Sequence, residues 1–162
     1  MDYFCAFSIV TYSLLAFLLR LVGTDNSKAV VAATGGCAAI FAHHIYNMAF
    51  VHFDYGHNMV VNVAVGAVNS VCWLTWAACY WRAMPHVKFA VASVILVNLT
   101  ILLEVLDFAP FLWTFDSHSL WHLSTAPIHI LWYHFAIADC KYLERMQESG
   151  LADSDVASKK TA

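Results

Sequence analysis

Long uninterrupted apolar runs constrain the fold of this chain more than any other feature of its sequence. The first covers residues 3–22, and the others follow in order at residues 29–50, 59–81, 87–106 and 118–138. A helix of about 20 residues is about 30 Å long, which matches the hydrocarbon thickness of a bilayer. Inside lipid, only helices and closed barrels satisfy all of their backbone polar groups. The sequence therefore predicts an all-α, multi-pass transmembrane bundle with five spans over residues 1–140, followed by a polar tail over residues 141–162.

The overall composition agrees with a membrane protein and excludes a typical soluble globule. Of the 162 residues, 61% are hydrophobic and only 12% are charged, whereas soluble proteins average about 25% charged residues. The formal net charge of −3 is small and does not indicate a nucleic-acid partner. The partner that this composition predicts is membrane lipid. The sequence does not indicate an oligomeric state.

Basic residues predict how the chain is oriented. All eight Lys and Arg residues flank the first or third loop or follow the fifth run, so the positive-inside rule places these segments and the C-terminus in the cytoplasm. The opposite, lumenal side then holds a set of acidic and histidine residues: Asp2, His52, Asp54, His57, Asp107, Asp116, His118 and His122. With five spans whose loops alternate between the two sides, the N-terminus lies on the lumenal side, yet no signal peptide precedes the first apolar run. We therefore expect a signal segment or an even number of spans upstream of Met1.

Polar residues within the apolar runs predict contacts between helices. Asn62, Gly66 and Asn69 lie on one side of the third run, where small and amide residues favour a helix–helix seam over a lipid-facing surface. Glu104 lies near the end of the fourth run and could pair within the bundle or cap a helix end. We assign it no catalytic role from the sequence.

His118 and His122 form the strongest candidate metal-binding pattern. Residues four apart project about 40° apart on a helix, so both imidazoles can bind one metal ion. His129 returns to within about 20° of the same direction. The alternative is that the imidazoles are structural and bind hydroxyl partners such as Ser119 and Thr125. The spacing alone leaves both interpretations open, because two histidines are weak evidence for zinc.

Two further classes of function remain open at this point. His43 or His44 on one span could face His118, His122 or His129 on another as axial ligands of haem, which predicts a membrane cytochrome. A non-catalytic binding or trafficking protein of the same fold is also compatible with the sequence.

Several ordered motifs resemble those of the post-GPI-attachment factor family of Golgi lipid hydrolases. They are residues 2–6 (DYFCA), 53–58 (FDYGHN), 102–108 (LLEVLDF) and the histidine-containing stretch 118–129. The resemblance extends from Met1 to about Leu143 and departs from the family pattern at His57, where tyrosine is usual, and at Ala109, where proline is usual. It implies the seven-span fold of the CREST superfamily of membrane hydrolases, with five of the spans present here.

The resemblance also implies an activity and a site. The activity is GPI-anchor lipid remodelling by zinc-dependent hydrolysis of the sn-2 acyl ester of GPI-anchored proteins, a phospholipase A2-type reaction in the Golgi or endoplasmic reticulum membrane with a lumenal site. The implied zinc ligands are His118, His122 and a third histidine, and Asp2 has an implied catalytic role in orienting a ligand or the attacking water. The third histidine and its companion serine belong to a motif upstream of Asp2. The chain as given is therefore expected to be inactive.

Overall fold

The computed structural model describes residues 2–106, 108–111 and 113–160, with side chains described for residues 4–106, 108–111 and 113–150. The α-helices are α1 (Asp2–Val22), α2 (Ser27–Tyr46), α3 (Tyr55–Tyr80), α4 (Val87–Leu106), α5 (Ser117–Thr125) and α6 (Ile128–Lys160), and a π-helix, Asn47–Val51, continues α2. Among the described residues, four helical segments are long and apolar enough to cross a membrane: Phe4–Val22, Ser27–Val51, Tyr55–Tyr80 and Val87–Leu106. The predicted all-α, multi-pass bundle is confirmed.

The chain forms two compact units that divide between Thr75 and Trp76. In the first unit, α1 packs against α2, and the fully buried Phe7 ring lies with its centroid 4.2 Å from that of His44. On α3, Asn69 donates from Nδ2 to Ser13 Oγ of α1 at 3.0 Å. Trp73 donates from Nε1 to the Ser13 carbonyl oxygen at 3.3 Å. The seam predicted at Asn62, Gly66 and Asn69 is confirmed at Asn69, whose amide joins α3 to α1. Asn62 instead donates to Asn58 within α3.

In the second unit, α4 packs against both α5 and α6. Val87 and Ala90 are almost fully buried on α4. Near the start of this helix, His86 Nε2 lies 3.1 Å from Asp139 Oδ1 of α6. The apolar run predicted as a fifth span is divided between α5 and α6 at Ala126 and Pro127, because proline lacks a backbone N–H donor. A membrane crossing by this run stays a prediction.

Local capping sets two helix boundaries that the apolar runs do not define. Gly23 has φ +73° and donates its N–H to the Leu19 carbonyl oxygen at 3.0 Å, which ends α1 in the left-handed conformation that glycine adopts without steric cost. Asp54 Oδ1 accepts a hydrogen bond from the His57 N–H at 3.1 Å. Helix α3 therefore begins at Tyr55 instead of residue 59, because a carboxylate cap satisfies an otherwise unpaired N–H of the first turn.

Acidification is expected to loosen the first turn of α3. The His57 N–H donated to Asp54 holds the pKa of that carboxyl below its ordinary value of 3.8. Because the Asp54 carboxyl has a lower pKa in the folded than in the unfolded protein, the cap contributes its full stability at pH values above the unfolded-state pKa. That stability is lost as the pH falls through the folded-state pKa. We expect the His57 amide to lose hydrogen-exchange protection as the pH is lowered from 3.8 into the more acidic range. In Asp54→Asn, whose side chain accepts without titrating, protection should stay constant; identical profiles in the two proteins would contradict the prediction.

Candidate metal centre

The start of α5 is fixed by an N-terminal cap. Asp116 Oδ1 accepts the Ser119 N–H at 2.7 Å and also accepts the Ser119 hydroxyl. These bonds, the hydroxyl contact foremost, hold the pKa of the Asp116 carboxyl below its ordinary range. Asp and Ser side chains at such positions satisfy N–H groups that have no partner within the helix. The cap therefore sets the helical register of the residues that follow.

His118 and His122 project from one face of α5 with their ring nitrogens together. His118 Nε2 and His122 Nε2 are 3.1 Å apart, and the two ring centroids are 4.6 Å apart with the rings nearly perpendicular. Two nitrogens that each lie 2.0–2.1 Å from a tetrahedral zinc ion are about 3.3 Å apart. The common face predicted from the sequence is confirmed. The spacing of the two nitrogens fits two positions of a zinc ligand set.

Glu104, in the last turn of α4, contacts the opposite edge of the His118 ring. Its Oε2 lies 2.9 Å from His118 Nδ1, and the glutamate side chain is only 14% exposed, compared with 44% for the histidine. The carboxylate accepts the Nδ1–H, so the lone pair of a neutral His118 ring is on Nε2, the atom that faces His122. The sequence did not identify this partner, although a carboxylate near the end of a span is costly unless it is paired.

Trp121 supports both rings from within the same helix. Its ring centroid lies 5.7 Å from that of His118 and 4.7 Å from that of His122. The hydroxyls expected in the structural alternative bind elsewhere: Ser119 Oγ donates to Asp116, and Thr125 Oγ1 contacts the carbonyl oxygens of Trp121 and His122. Ring nitrogens of the pair instead contact Glu104 and each other. The choice between structural and metal-binding imidazoles therefore stays open, with partners other than the two hydroxyls.

The remaining predicted site residues do not complete a ligand set. His129 lies on α6 beyond the Pro127 break, and its Nδ1 contacts the Thr125 carbonyl oxygen at 3.1 Å. The side chain of Asp2 lies outside the described residues, so its catalytic role stays a prediction. Within the described ranges, no group of three or more His, Cys, Asp or Glu side chains is arranged to hold a metal ion. The described part of the chain thus offers a two-histidine partial site.

His43 and His44, the span histidines of the haem alternative, belong to the first compact unit. They line a cavity of about 250 Å³ together with Phe7 and His57. His44 Nε2 lies 3.0 Å from Asn58 Oδ1, and His43 Nε2 accepts from Asn47 Nδ2 at 2.9 Å. Haem ligation through either Nε2 would break one of these hydrogen bonds. The haem alternative stays a prediction.

Comparison with known proteins identifies the family. The profile described as the Per1-like family matches residues 1–140. The chain belongs to the Per1-like family. This agrees with the resemblance carried by the motifs at residues 2–6, 53–58, 102–108 and 118–129. No solved structure matches this Per1-like chain.

Individual relatives of this Per1-like chain come from animals and yeast. The chain is 40% identical over 150 residues to a human protein named GPI-specific phospholipase A2-like PGAP3, covering 91% of this chain and 46% of the human protein. It is 37% identical over 152 residues to the Danio rerio protein of the same name, covering 93% and 48%. It is 36% identical over 152 residues to Protein PER1 homolog of Schizosaccharomyces pombe, covering 88% and 44%. The chain spans about half the length of these relatives.

Proposed function

We propose that this Per1-like protein acts in GPI-anchor lipid remodelling, by zinc-dependent hydrolysis of the sn-2 acyl ester of GPI-anchored proteins. The observation that carries the proposal is the 3.1 Å approach of His118 Nε2 to His122 Nε2, with Glu104 on the far edge of the first ring. The relatives named GPI-specific phospholipase A2-like support the class of substrate. The reaction adds water across the ester and releases a free fatty acid and a lysolipid anchor.

In this proposal each residue of the site has a distinct role. His118 and His122 supply two imidazole ligands, and Glu104 keeps the proton of His118 on Nδ1 so that Nε2 is available to the metal. The third ligand is the histidine that the family resemblance places in a motif upstream of Asp2. Asp2 orients a ligand or the attacking water, as the family resemblance implies. When bound, zinc supplies Lewis acidity, which polarises an ester carbonyl and acidifies water.

The position of the site in the bundle suits a lipid substrate. Glu104 lies in the last turn of α4, one of the helices long and apolar enough to cross the membrane. The site therefore lies at the depth where a span reaches the bilayer surface, which is also the depth of the ester bonds between acyl chains and headgroup. The Lys and Arg distribution supports a lumenal site in the Golgi or endoplasmic reticulum membrane, with a cytoplasmic C-terminus.

A non-catalytic membrane protein of the same fold is the second candidate. It is favoured by the presence of only two metal-ligand histidines in the described site, since two imidazoles alone hold zinc weakly. Zinc content separates the two candidates directly. A hydrolase binds about one zinc ion per chain, whereas the non-catalytic protein purifies without stoichiometric metal.

The test of the proposed function combines zinc content with lipid analysis. The protein, extended by the upstream segment that carries the expected serine and third histidine, is expressed in cells that lack their own GPI-specific phospholipase. The sn-2 chains of their GPI anchors are then measured by mass spectrometry. Purified protein in liposomes is assayed for metal and for release of fatty acid before and after chelation. Restored remodelling with chelator-sensitive release supports the proposal. Unchanged anchors together with metal-free protein would overturn it in favour of the non-catalytic alternative.

A further inference from the structure

The segment between α4 and α5 is a closed turn rich in aromatic side chains. Phe111 and Phe115 exchange backbone hydrogen bonds, with the Phe111 N–H donating to the Phe115 carbonyl oxygen at 2.8 Å and the Phe115 N–H donating back at 3.0 Å. The Thr114 N–H also donates to the Phe111 carbonyl oxygen. We call Phe108, Phe111, Trp113 and Phe115 the aromatic turn. Its paired backbone groups remove much of the cost of leaving water.

Trp113 occupies the tip of the aromatic turn in an unusual conformation. Its φ is 59°, in the left-handed region where a bulky L-residue is strained. Contacts within the chain do not compensate this strain, because the Trp113 side chain is 97% exposed. The conformation thus places a large amphipathic ring outward, away from the packed helices of its unit.

The surroundings of the aromatic turn identify lipid as its partner. The turn directly follows α4, whose mean hydropathy of 2.4 is the highest among the candidate spans, so it begins where that helix leaves the hydrocarbon core. Residues 108–115 contain no charged side chain, while Asp107 and Asp116 flank them on either side. Tryptophan prefers the membrane–water interface, because its ring is apolar and its N–H is polar.

We infer that the aromatic turn inserts into the interfacial layer of the bilayer and that Trp113 is its deepest anchor. Helix α5 begins at Ser117, directly after the turn. Insertion therefore fixes the depth at which His118 and His122 meet the membrane surface. This inference concerns lipid contact and holds whether or not the protein is a hydrolase.

Tryptophan fluorescence of the full chain in phosphatidylcholine liposomes tests the inference. The emission of Trp113 is obtained as the difference between wild type and Trp113→Phe. It is quenched either by phosphatidylcholine brominated at defined acyl positions or by aqueous iodide. We expect strong quenching by shallow bromines, weaker quenching by deep ones, and iodide quenching several-fold lower than that of a free tryptophan analogue.

Two other quenching patterns would overturn the inference. Full iodide quenching without bromolipid quenching places the turn in water, and protection from both quenchers places it against protein. Trp113→Gly is the second variant, because glycine adopts a φ of 59° without strain and removes the ring. We expect its thermal stability in detergent to equal or exceed that of wild type, and the subtraction can be repeated with it if Trp113→Phe does not fold.

Discussion

Replacing either His118 or His122 with alanine in a full-length protein, which includes the serine and histidine motif expected upstream of Asp2, is expected to abolish hydrolysis of the sn-2 ester. Zinc binding should weaken by more than about 100-fold, the upper end of what loss of an outer-shell partner costs. The reason is the geometry of α5, where the two Nε2 atoms are 3.1 Å apart and neither has a described substitute nearby. Zinc affinity is measured by competition with a chromophoric chelator. Activity is measured as fatty acid released from GPI-anchored protein in liposomes.

His134→Ala is the matched control for both substitutions. His134 belongs to the same compact unit and is exposed on α6, where its ring contacts that of Phe89. This variant also removes one histidine from the chain but leaves His118 and His122 in place. Metal binding and hydrolysis should therefore stay at wild-type levels. If His118→Ala and His122→Ala both keep the zinc affinity of the wild type, the histidine pair is not part of the metal site. A parallel loss in His134→Ala would point to a general folding defect instead.

The membrane helices were the most predictable part of this fold. Lipid leaves a chain few alternatives to helix, so a run of apolar residues defines a span almost by itself. The predicted fourth run, residues 87–106, coincides with α4, and the first run differs from α1 by a single residue. Boundaries set by polar groups were less predictable. The cap at Asp54 moves the start of α3 from residue 59 to Tyr55, and a hydropathy pattern contains no information about that hydrogen bond.

The candidate site was predictable only where it is local in sequence. Helical spacing predicts that His118 and His122 share a face, because both belong to α5 and its register follows from the Asp116 cap. The contact with Glu104 depends on how α4 packs against α5 through the intervening turn, which the sequence does not specify. The sequence also did not specify which groups the Ser119 and Thr125 hydroxyls bond, since serine and threonine in helices also bond to nearby backbone and capping groups.

Replacing Glu104 with alanine is expected to lower zinc affinity about 10- to 100-fold, the range observed when a partner of a metal-bound histidine is removed. Glu104 Oε2 accepts the Nδ1–H of His118 at 2.9 Å, which fixes both the tautomer and the direction of the ring. Without this acceptor the proton can move to Nε2, where it competes with the metal. Glu104→Gln should lose less, because its amide oxygen can still accept the Nδ1–H while the negative charge is gone.

The tautomer of His118 and the zinc affinity are the two measurements that separate this positioning role from a merely structural one. Long-range nitrogen–proton NMR of the metal-free protein should show His118 protonated at Nδ1 in wild type and in Glu104→Gln, and a tautomer mixture in Glu104→Ala. Thr100→Ala is the control on the same helix, since its hydroxyl donates to the Val97 carbonyl oxygen, and it should leave both tautomer and zinc affinity unchanged. If Glu104→Ala binds zinc as tightly as wild type while His118→Ala does not, the carboxylate serves the packing of α4 on α5 and does not position the histidine pair for the metal.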